Sequence, residues 1–236
     1  MTMPKVIDHE VRRREVADAA WRIIAQHGLD GLTLREVGRS MGRSTTAVTH
    51  YFPDREALIV AVAHQVITGW QRDFDELTAN RDAETAIGLG ALWALQYGEV
   101  ERAHSRAFLS MVDVAATLPT VRDDLDNWDR WLIARTVSDM DEWMKSLKMQ
   151  PPVDASTAAR LLHHFCLGLT LSGSYTSEPD LHARQVEMLR EFFVGIGLPV
   201  PRPVAEHESW VAIYASGGLA PLGEIQLNVA RLADLE

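Results

Sequence analysis

The stretch TLREVGRSMGRSTTAVTHYFPDREAL, residues 33–58, combines many short polar side chains with a regular apolar pattern. Leu34, Val37 and Met41 recur at intervals of three and four residues, which is the spacing of one helix face. Gly42 follows at once, and glycine permits the backbone conformations that a tight turn requires. The first part of the stretch therefore predicts a short helix that ends in a turn.

The helix ends in this stretch carry their own signals. Thr33 and Glu36 have the spacing of a capping box, in which each side chain accepts a hydrogen bond from a free backbone N–H at a helix start. Ser44 is suited to cap a third helix that runs to Tyr51, and Asp54 stands where a longer fourth helix begins. The stretch thus predicts two short helices joined by a glycine-containing turn.

Helical patterns continue on both sides of this stretch. A first helix is predicted over residues 11–27, with Gly28 as its C-terminal glycine. Later helices are predicted over residues 82–97, 101–117, 119–147, 156–176 and 180–196. No alternating strand pattern competes before residue 198, so the predicted fold class is all-α. Pro199, Pro201 and Pro203 then predict an extended connection.

The net charge of −10 argues at first against a nucleic-acid partner, because phosphate binding relies on Lys and Arg. Residues 1–58 nevertheless hold nine basic and eight acidic side chains, a charge of +1, while the remainder carries −11. A polyanion would therefore be held by the N-terminal quarter and repelled by the rest. The single cysteine, Cys166, excludes an internal disulfide.

Two short helices joined by such a turn, behind a supporting helix, make a helix-turn-helix, whose second helix enters the DNA major groove. A recognition helix approaches base edges and phosphates closely, which favours short hydroxyl and small apolar side chains on its exposed face. The candidate DNA-contacting residues are Arg35, Arg43, Ser44, Thr45, Thr46, Ala47, Thr49, His50, Tyr51 and Arg55. Alternatively, they are only the solvated polar face of a helical hairpin.

Residues 19–58, AAWRIIAQHGLDGLTLREVGRSMGRSTTAVTHYFPDREAL, resemble the TetR family of bacterial transcriptional regulators. They show, in order, that family's helix, glycine, threonine-capped helix, glycine–serine turn, aromatic pair and acidic–leucine ending. The resemblance implies that Phe52 is a packing residue. It implies DNA contacts from Thr33, Arg35, Thr45, Thr46, His50, Tyr51 and Arg55.

Two positions depart from the family pattern. Arg43 stands where a small aliphatic residue is usual, and it places an additional cation near DNA. Thr49 replaces a tyrosine that is common two residues before Tyr51, and it shortens a usual phosphate contact. The segment STTAVTHYF looks most like the branch of the family that includes the choline and betaine regulators.

The resemblance also implies a division of the chain and a homodimer. We expect a three-helix DNA-binding domain at 1–53, a larger helical ligand-binding and dimerisation domain at 54–197, and a tail of unknown role at 198–236. A two-fold dimer would bind double-stranded operator DNA at an inverted repeat, and repression is the family's usual mode. The candidate dimer residues on the last two helices are Leu169, Ser172, Leu189, Phe192, Phe193 and Ile196.

The many tryptophans suggest an effector site, because aromatic faces attract apolar and cationic molecules. The candidate pocket residues are Trp70, Trp93, Tyr97, Phe108, Met111, Trp128 and Trp131. These rings alternatively just fill a helical core. His163 and His164 are adjacent, so they point to different faces of a helix and do not form a metal pair. We expect a core or interface histidine, and neither a metal nor a cofactor.

Two further interpretations stay open. The first is a DNA-binding regulator controlled by a protein partner, which a filled core would favour over a cavity of several hundred Å³. The second is a helical enzyme, although the sequence lacks the common nucleophile, phosphate-loop and zinc motifs. No segment approaches the ~20 apolar residues of a membrane span, and the N-terminus lacks the apolar stretch of a signal peptide, so we expect a cytoplasmic protein.

Overall fold

This computed structural model describes residues 9–95, 99–176 and 178–208. The described residues contain ten α-helices and no strand. The all-α prediction is therefore confirmed. The helices are α1 (His9–His27), α2 (Leu34–Ser40), α3 (Thr45–Thr49), α4 (Arg55–Thr78), α5 (Ala83–Trp93), α6 (Glu99–Ala115), α7 (Pro119–Ser146), α8 (Ala155–Tyr175), α9 (Leu181–Gly195) and α10 (Arg202–Ala205). None of these described helices has the length and apolar character needed to cross a bilayer.

The helix ends follow the local signals closely. Gly28 ends α1 with a positive φ of 69°, a conformation that glycine adopts without strain. The side chains of Thr33, Ser44 and Asp54 each accept a hydrogen bond from the backbone N–H three residues on, at 3.1, 3.3 and 2.8 Å. The capping box is only half formed, because the Glu36 carboxylate accepts from the Arg39 guanidinium, with Nε at 3.0 Å. The ion pair thus replaces the predicted reciprocal bond.

The first hydrophobic core joins α1 to α4 and extends beyond them. Ile24, Val37, Val48 and Phe52 are all almost fully buried in it, which confirms the packing role of Phe52. Met111 from α6 belongs to the same cluster and has no exposed surface, as does Val121 from α7. The N-terminal helices therefore share their core with α6 and α7.

The second core joins α5, α7, α8 and α9, and it includes residues after α9. Leu198 and Val204 are buried against this cluster. The predicted extended connection is wrong for residues 202–205, which form α10 with Pro203 in its first turn. A proline is tolerated there because a first-turn N–H has no partner within the helix.

Gly38 lies where α2 meets the turn that leads to α3. A Cβ at this position would stand 2.9 Å from the Arg43 carbonyl oxygen, closer than real Cβ atoms come. We predict that Gly38→Ala destabilises the N-terminal core by ~1 to 3 kcal/mol, despite the better helix propensity of alanine. Urea unfolding followed by circular dichroism measures this. The control is Arg39→Ala, an exposed change on the same helix. We expect its free energy of unfolding to stay within ~0.5 kcal/mol of that of the original chain.

Candidate nucleic-acid interface and internal cavity

The face of α2 and α3 that points away from the first core carries the predicted DNA-contacting side chains. Val48 and Phe52 anchor the opposite face, which fixes the rotation of α3. The structure places Thr33, Arg35, Arg43, Ser44, Thr45, Thr46, Thr49, His50 and Arg55 in exposed positions, and Ala47 and Tyr51 in half-buried ones. Most of the predicted residues are therefore accessible to a partner, while Ala47 and Tyr51 are partly covered.

The hydroxyl groups on this surface have different local roles. Those of Thr33 and Ser44 cap helices, and that of Thr49 donates to the Thr46 carbonyl oxygen at 3.1 Å. Thr45 and Thr46 are exposed in the first turn of α3, the part of a recognition helix that meets base edges. These two threonines therefore offer hydroxyls and methyl groups best placed for a partner.

The end of α3 is held against α1 by groups that the sequence pattern did not single out. The ring of His9 lies 5.8 Å from that of His50 and 5.9 Å from that of Tyr51. Arg13 donates to the Tyr51 carbonyl oxygen at 2.8 Å, and its guanidinium carbon stands 4.6 Å from the centre of the Phe52 ring. α1 therefore supports the aromatic pair directly.

Two of the predicted cations already have partners within the protein. Arg43 stands 3.9 Å from the Glu15 carboxylate, which also pairs with Arg12 at 2.5 Å. Arg55 donates to the carbonyl oxygens of Leu32 and Leu29 at 2.9 and 2.6 Å. Its guanidinium therefore holds the turn between α1 and α2, a structural role that its position in the sequence did not indicate.

A cavity of about 140 Å³, partly open to solvent, lies among α4, α5, α6, α7 and α8. It is smaller than the several hundred Å³ considered from the sequence, and close to an engineered cavity of ~150 Å³ that binds benzene. Most of its wall is apolar. Trp70, Phe108 and Trp128 form one ring cluster, with centroids 5.5 to 6.2 Å apart.

The structure brings some of the predicted pocket residues to this cavity. Trp70, Trp93, Phe108 and Trp128 line the cavity, while Met111 does not, because it is buried in the first core. Trp131 is not among the lining residues either, since its ring packs on Phe74 at 5.8 Å. Tyr97 lies outside the described residues.

One carboxylate, Asp139, reaches the cavity wall, and no Lys or Arg is among the lining residues that the structure describes. Burial raises the pKa of Asp139, and the Arg135 guanidinium 3.1 Å away opposes that shift. Arg135 also stands 3.5 Å from Asp75, so two carboxylates share one cation. The local balance of formal charge is therefore negative.

The other polar groups in the wall are a histidine, a thiol and hydroxyl groups. Burial lowers the pKa of His163, and Asp129, 2.6 Å from its Nε2, opposes that shift. His163 is thus buried and has a partner, as the sequence led us to expect, while the adjacent His164 is exposed. Burial raises the pKa of the Cys166 thiol to about 12. The Nε1–H of Trp128 is buried without an acceptor among the described residues.

Comparison with known proteins shows which proteins this chain resembles. Residues 16–62 match the family described as "Bacterial regulatory proteins, tetR family". The HTH-type transcriptional regulator PksA of Bacillus subtilis is 42% identical over 57 residues, which are 24% of this chain and 28% of that protein. The regulator BetI of Burkholderia thailandensis is 28% identical over 192 residues, which cover 75% of this chain and 89% of BetI. The N-terminal segment therefore matches the TetR family of transcriptional regulators, and the similarity to BetI extends along three quarters of the chain.

A solved structure resembles this chain beyond the matched N-terminal segment. A transcriptional regulator from Saccharomonospora viridis, crystallised in complex with choline, superimposes with a TM-score of 0.63. The match covers 77% of this chain and 96% of that one at 19% sequence identity. At this identity the likeness establishes the fold of the helical body alone.

The outer face of α8 and α9 differs from the face that the sequence pattern proposed for the TetR dimer. Leu169, Leu189 and Phe193 are buried in the monomer's second core, and Ser172, Phe192 and Ile196 are half-buried. The exposed apolar side chains on these helices are Leu161, Leu171, Tyr175, Met188 and Val194, between 43% and 73% exposed. The predicted set therefore combined inward-facing residues with residues at the edge of the exposed face.

Proposed function

We propose that the chain is a sequence-specific repressor that binds an inverted-repeat operator as a homodimer and releases it when a small cation enters the cavity. The exposed first turn of α3, with Thr45 and Thr46 set on a core that α6 shares, is the observation that supports this most directly. The match to the TetR family supports DNA binding and dimerisation by analogy.

Arg35 offers the sharpest test of the DNA surface. It is exposed at the start of α2, while Tyr51 and Arg55 also have structural partners. We predict that Arg35→Ala weakens binding to DNA from the chain's own promoter region by ~1 to 3 kcal/mol and reduces the salt slope. Fluorescence anisotropy over a range of salt concentrations measures both.

The matched control is Arg130→Ala, which removes an exposed arginine from α7. It leaves operator affinity and salt slope as in the original chain. If Arg35→Ala bound DNA as tightly as Arg130→Ala, with the same salt slope, the assigned surface would be wrong.

The exposed apolar face of α8 and α9 supports a homodimer. Leu161, Leu171 and Tyr175 follow one face of α8, and Met188 and Val194 are exposed on α9. A Cβ added to Gly168 or Gly195 on these helices would meet nothing within 4 Å, so both glycines leave room for a second backbone. Burying such a face contributes ~25 cal/mol per Å², which favours association of two copies over exposure.

We predict that Val194→Glu shifts the protein from dimer to monomer. A carboxylate in the proposed interface would lose its water without gaining a partner. Sedimentation velocity at micromolar concentration measures the change. Val112→Glu, at an exposed valine on α6, leaves the dimer intact. A dimer that tolerates Val194→Glu as well as Val112→Glu would place the interface elsewhere.

The cavity supports a small cationic effector better than an anionic one. Trp70, Phe108 and Trp128 offer ring faces. The described wall holds one carboxylate, Asp139, and no lysine or arginine, while Arg135 pairs with that carboxylate from outside the wall. The volume of about 140 Å³ suits a molecule of roughly the size of choline. The choline complex of the Saccharomonospora regulator supports the same chemistry by analogy.

We predict that choline binds more tightly than 3,3-dimethyl-1-butanol, its uncharged isostere in which carbon replaces nitrogen. A desolvated cation–π contact of ~2 kcal/mol corresponds to a ratio of about thirty. Titration calorimetry of both compounds against the original chain and Asp139→Asn measures the charge preference. Equal affinities, or no binding of choline at millimolar concentration, would reject this cation as the effector.

The path from the cavity to DNA runs along α6 and α4. Phe108 lines the cavity, and Met111, one helical turn later, is buried in the first core. Trp70 similarly lines the cavity on the helix whose Leu58 and Val62 pack in that core. A ligand that displaces these rings changes the spacing of the two recognition helices in the dimer, which supports release of DNA.

A further inference from the structure

The residues that follow α9 form a strap, defined as residues 198–208, across the outer face of α5. Leu198 and Val204 are buried, and Pro203 is buried between them and α5. The sequence left this segment without a role, as part of a longer tail. The structure makes its described part a packed element of the helical body.

Arg202 fastens the strap to the start of α5. Its backbone N–H donates to the Glu84 carboxylate at 2.9 Å, and its Nε donates to the same group at 3.2 Å. One terminal guanidinium nitrogen donates to Asp82 at 2.8 Å and to the Thr85 hydroxyl at 3.3 Å. Asp82 also caps α5, because its other oxygen accepts from the Thr85 backbone N–H at 2.9 Å. A single side chain therefore joins the strap to the helix cap.

α5 separates the strap from the cavity, and it has a glycine on each side. A Cβ at Gly88 would stand 2.7 Å from the Pro203 ring, so the strap contacts the helix backbone closely. A Cβ at Gly90 would stand 3.0 Å from the Phe74 ring on the cavity side. Trp93 on the same helix lines the cavity. A shift of α5 on its strap side therefore changes the cavity wall.

The far end of the strap is tied to α9. Arg190 of α9 donates to the Ala205 carbonyl oxygen at 2.9 Å, and it lies 3.3 Å from the His207 ring nitrogen. His207 in turn packs on His182 of α9, with ring centroids 5.9 Å apart. The strap thus links α5, a cavity wall, to the helix that carries Val194 on the exposed apolar face.

We infer that Arg202 is a positioning residue for the cavity: through the strap it holds α5 against the aromatic wall, and its loss loosens that wall while the rest of the fold persists. The inference rests on the proposed function only where it calls the cavity an effector site. The clamp itself consists of exposed ion pairs, which contribute little to global stability. Its effect is therefore local, on the opening of α5.

The test compares Arg202→Ala with the original chain in two measurements that need no ligand. Hydrogen exchange followed by mass spectrometry reports the opening of α5, and acrylamide quenching of tryptophan fluorescence reports access to the cavity rings. We expect exchange in residues 83–93 to rise about fivefold, exchange in α1 and α8 to stay unchanged, and quenching to increase. Arg202→Lys keeps the positive charge but not the planar guanidinium group. We expect exchange and quenching in this variant to rise less than in Arg202→Ala.

Gly88→Ala provides an independent variant, because its methyl group pushes Pro203 away without touching Arg202. Alanine favours the helix, so a purely local gain in helix stability would slow exchange in α5. The positioning role instead requires faster exchange and stronger quenching. Arg130→Ala, which removes an arginine with a similar exposed partner on α7, changes neither measurement.

Exchange in α5 that is unchanged in Arg202→Ala, or that rises equally throughout the chain, would overturn the positioning role. Neither outcome bears on choline, since both measurements use the free protein. A choline titration of the same variants then separates the two questions. If the original chain binds choline, we expect Arg202→Ala to bind it about fivefold more weakly.

Discussion

The burial of Met111 is the contact on which the proposed link between the cavity and the DNA surface depends. Met111 is fully buried in the first core, together with residues from α1 to α4, although it belongs to α6. Phe108, three residues earlier on α6, lines the cavity. Because close-packed interiors transmit small displacements, a ring that moves in the cavity displaces the support of the recognition helix. In the proposed function, α6 is therefore the element that joins the DNA surface to the cavity.

The shape of the cavity depends in turn on the small residues of α5. Gly88 and Gly90 bring this helix close to Pro203 on one side and to Phe74 on the other. At these two positions no side chain separates the helix backbone from the strap or from the Phe74 ring. A larger side chain at either position would separate the layers. The short apolar sequence of α5 thus has a physical reason that its helical periodicity alone did not reveal.

The sequence predicted what local interactions determine. The caps at Thr33, Ser44 and Asp54 and the turn glycine Gly28 act within a few residues, so their roles were readable before the structure. The sequence did not reveal which faces of α8 and α9 turn inward, because both helices are apolar on more than one face. Leu169 is buried and Leu171 exposed, and only tertiary packing decides between them. Arg55 illustrates the same limit, since its carbonyl partners lie more than twenty residues away.

In the proposed function, two copies of this chain present α3 to successive turns of one DNA duplex. Selection of bound duplexes from a randomised DNA library with the purified protein, followed by sequencing, tests it most directly. We expect enrichment of an inverted repeat whose half-site centres are separated by about one helical turn, or a multiple of it. Enrichment of a single asymmetric site, or binding without any sequence preference, would contradict it.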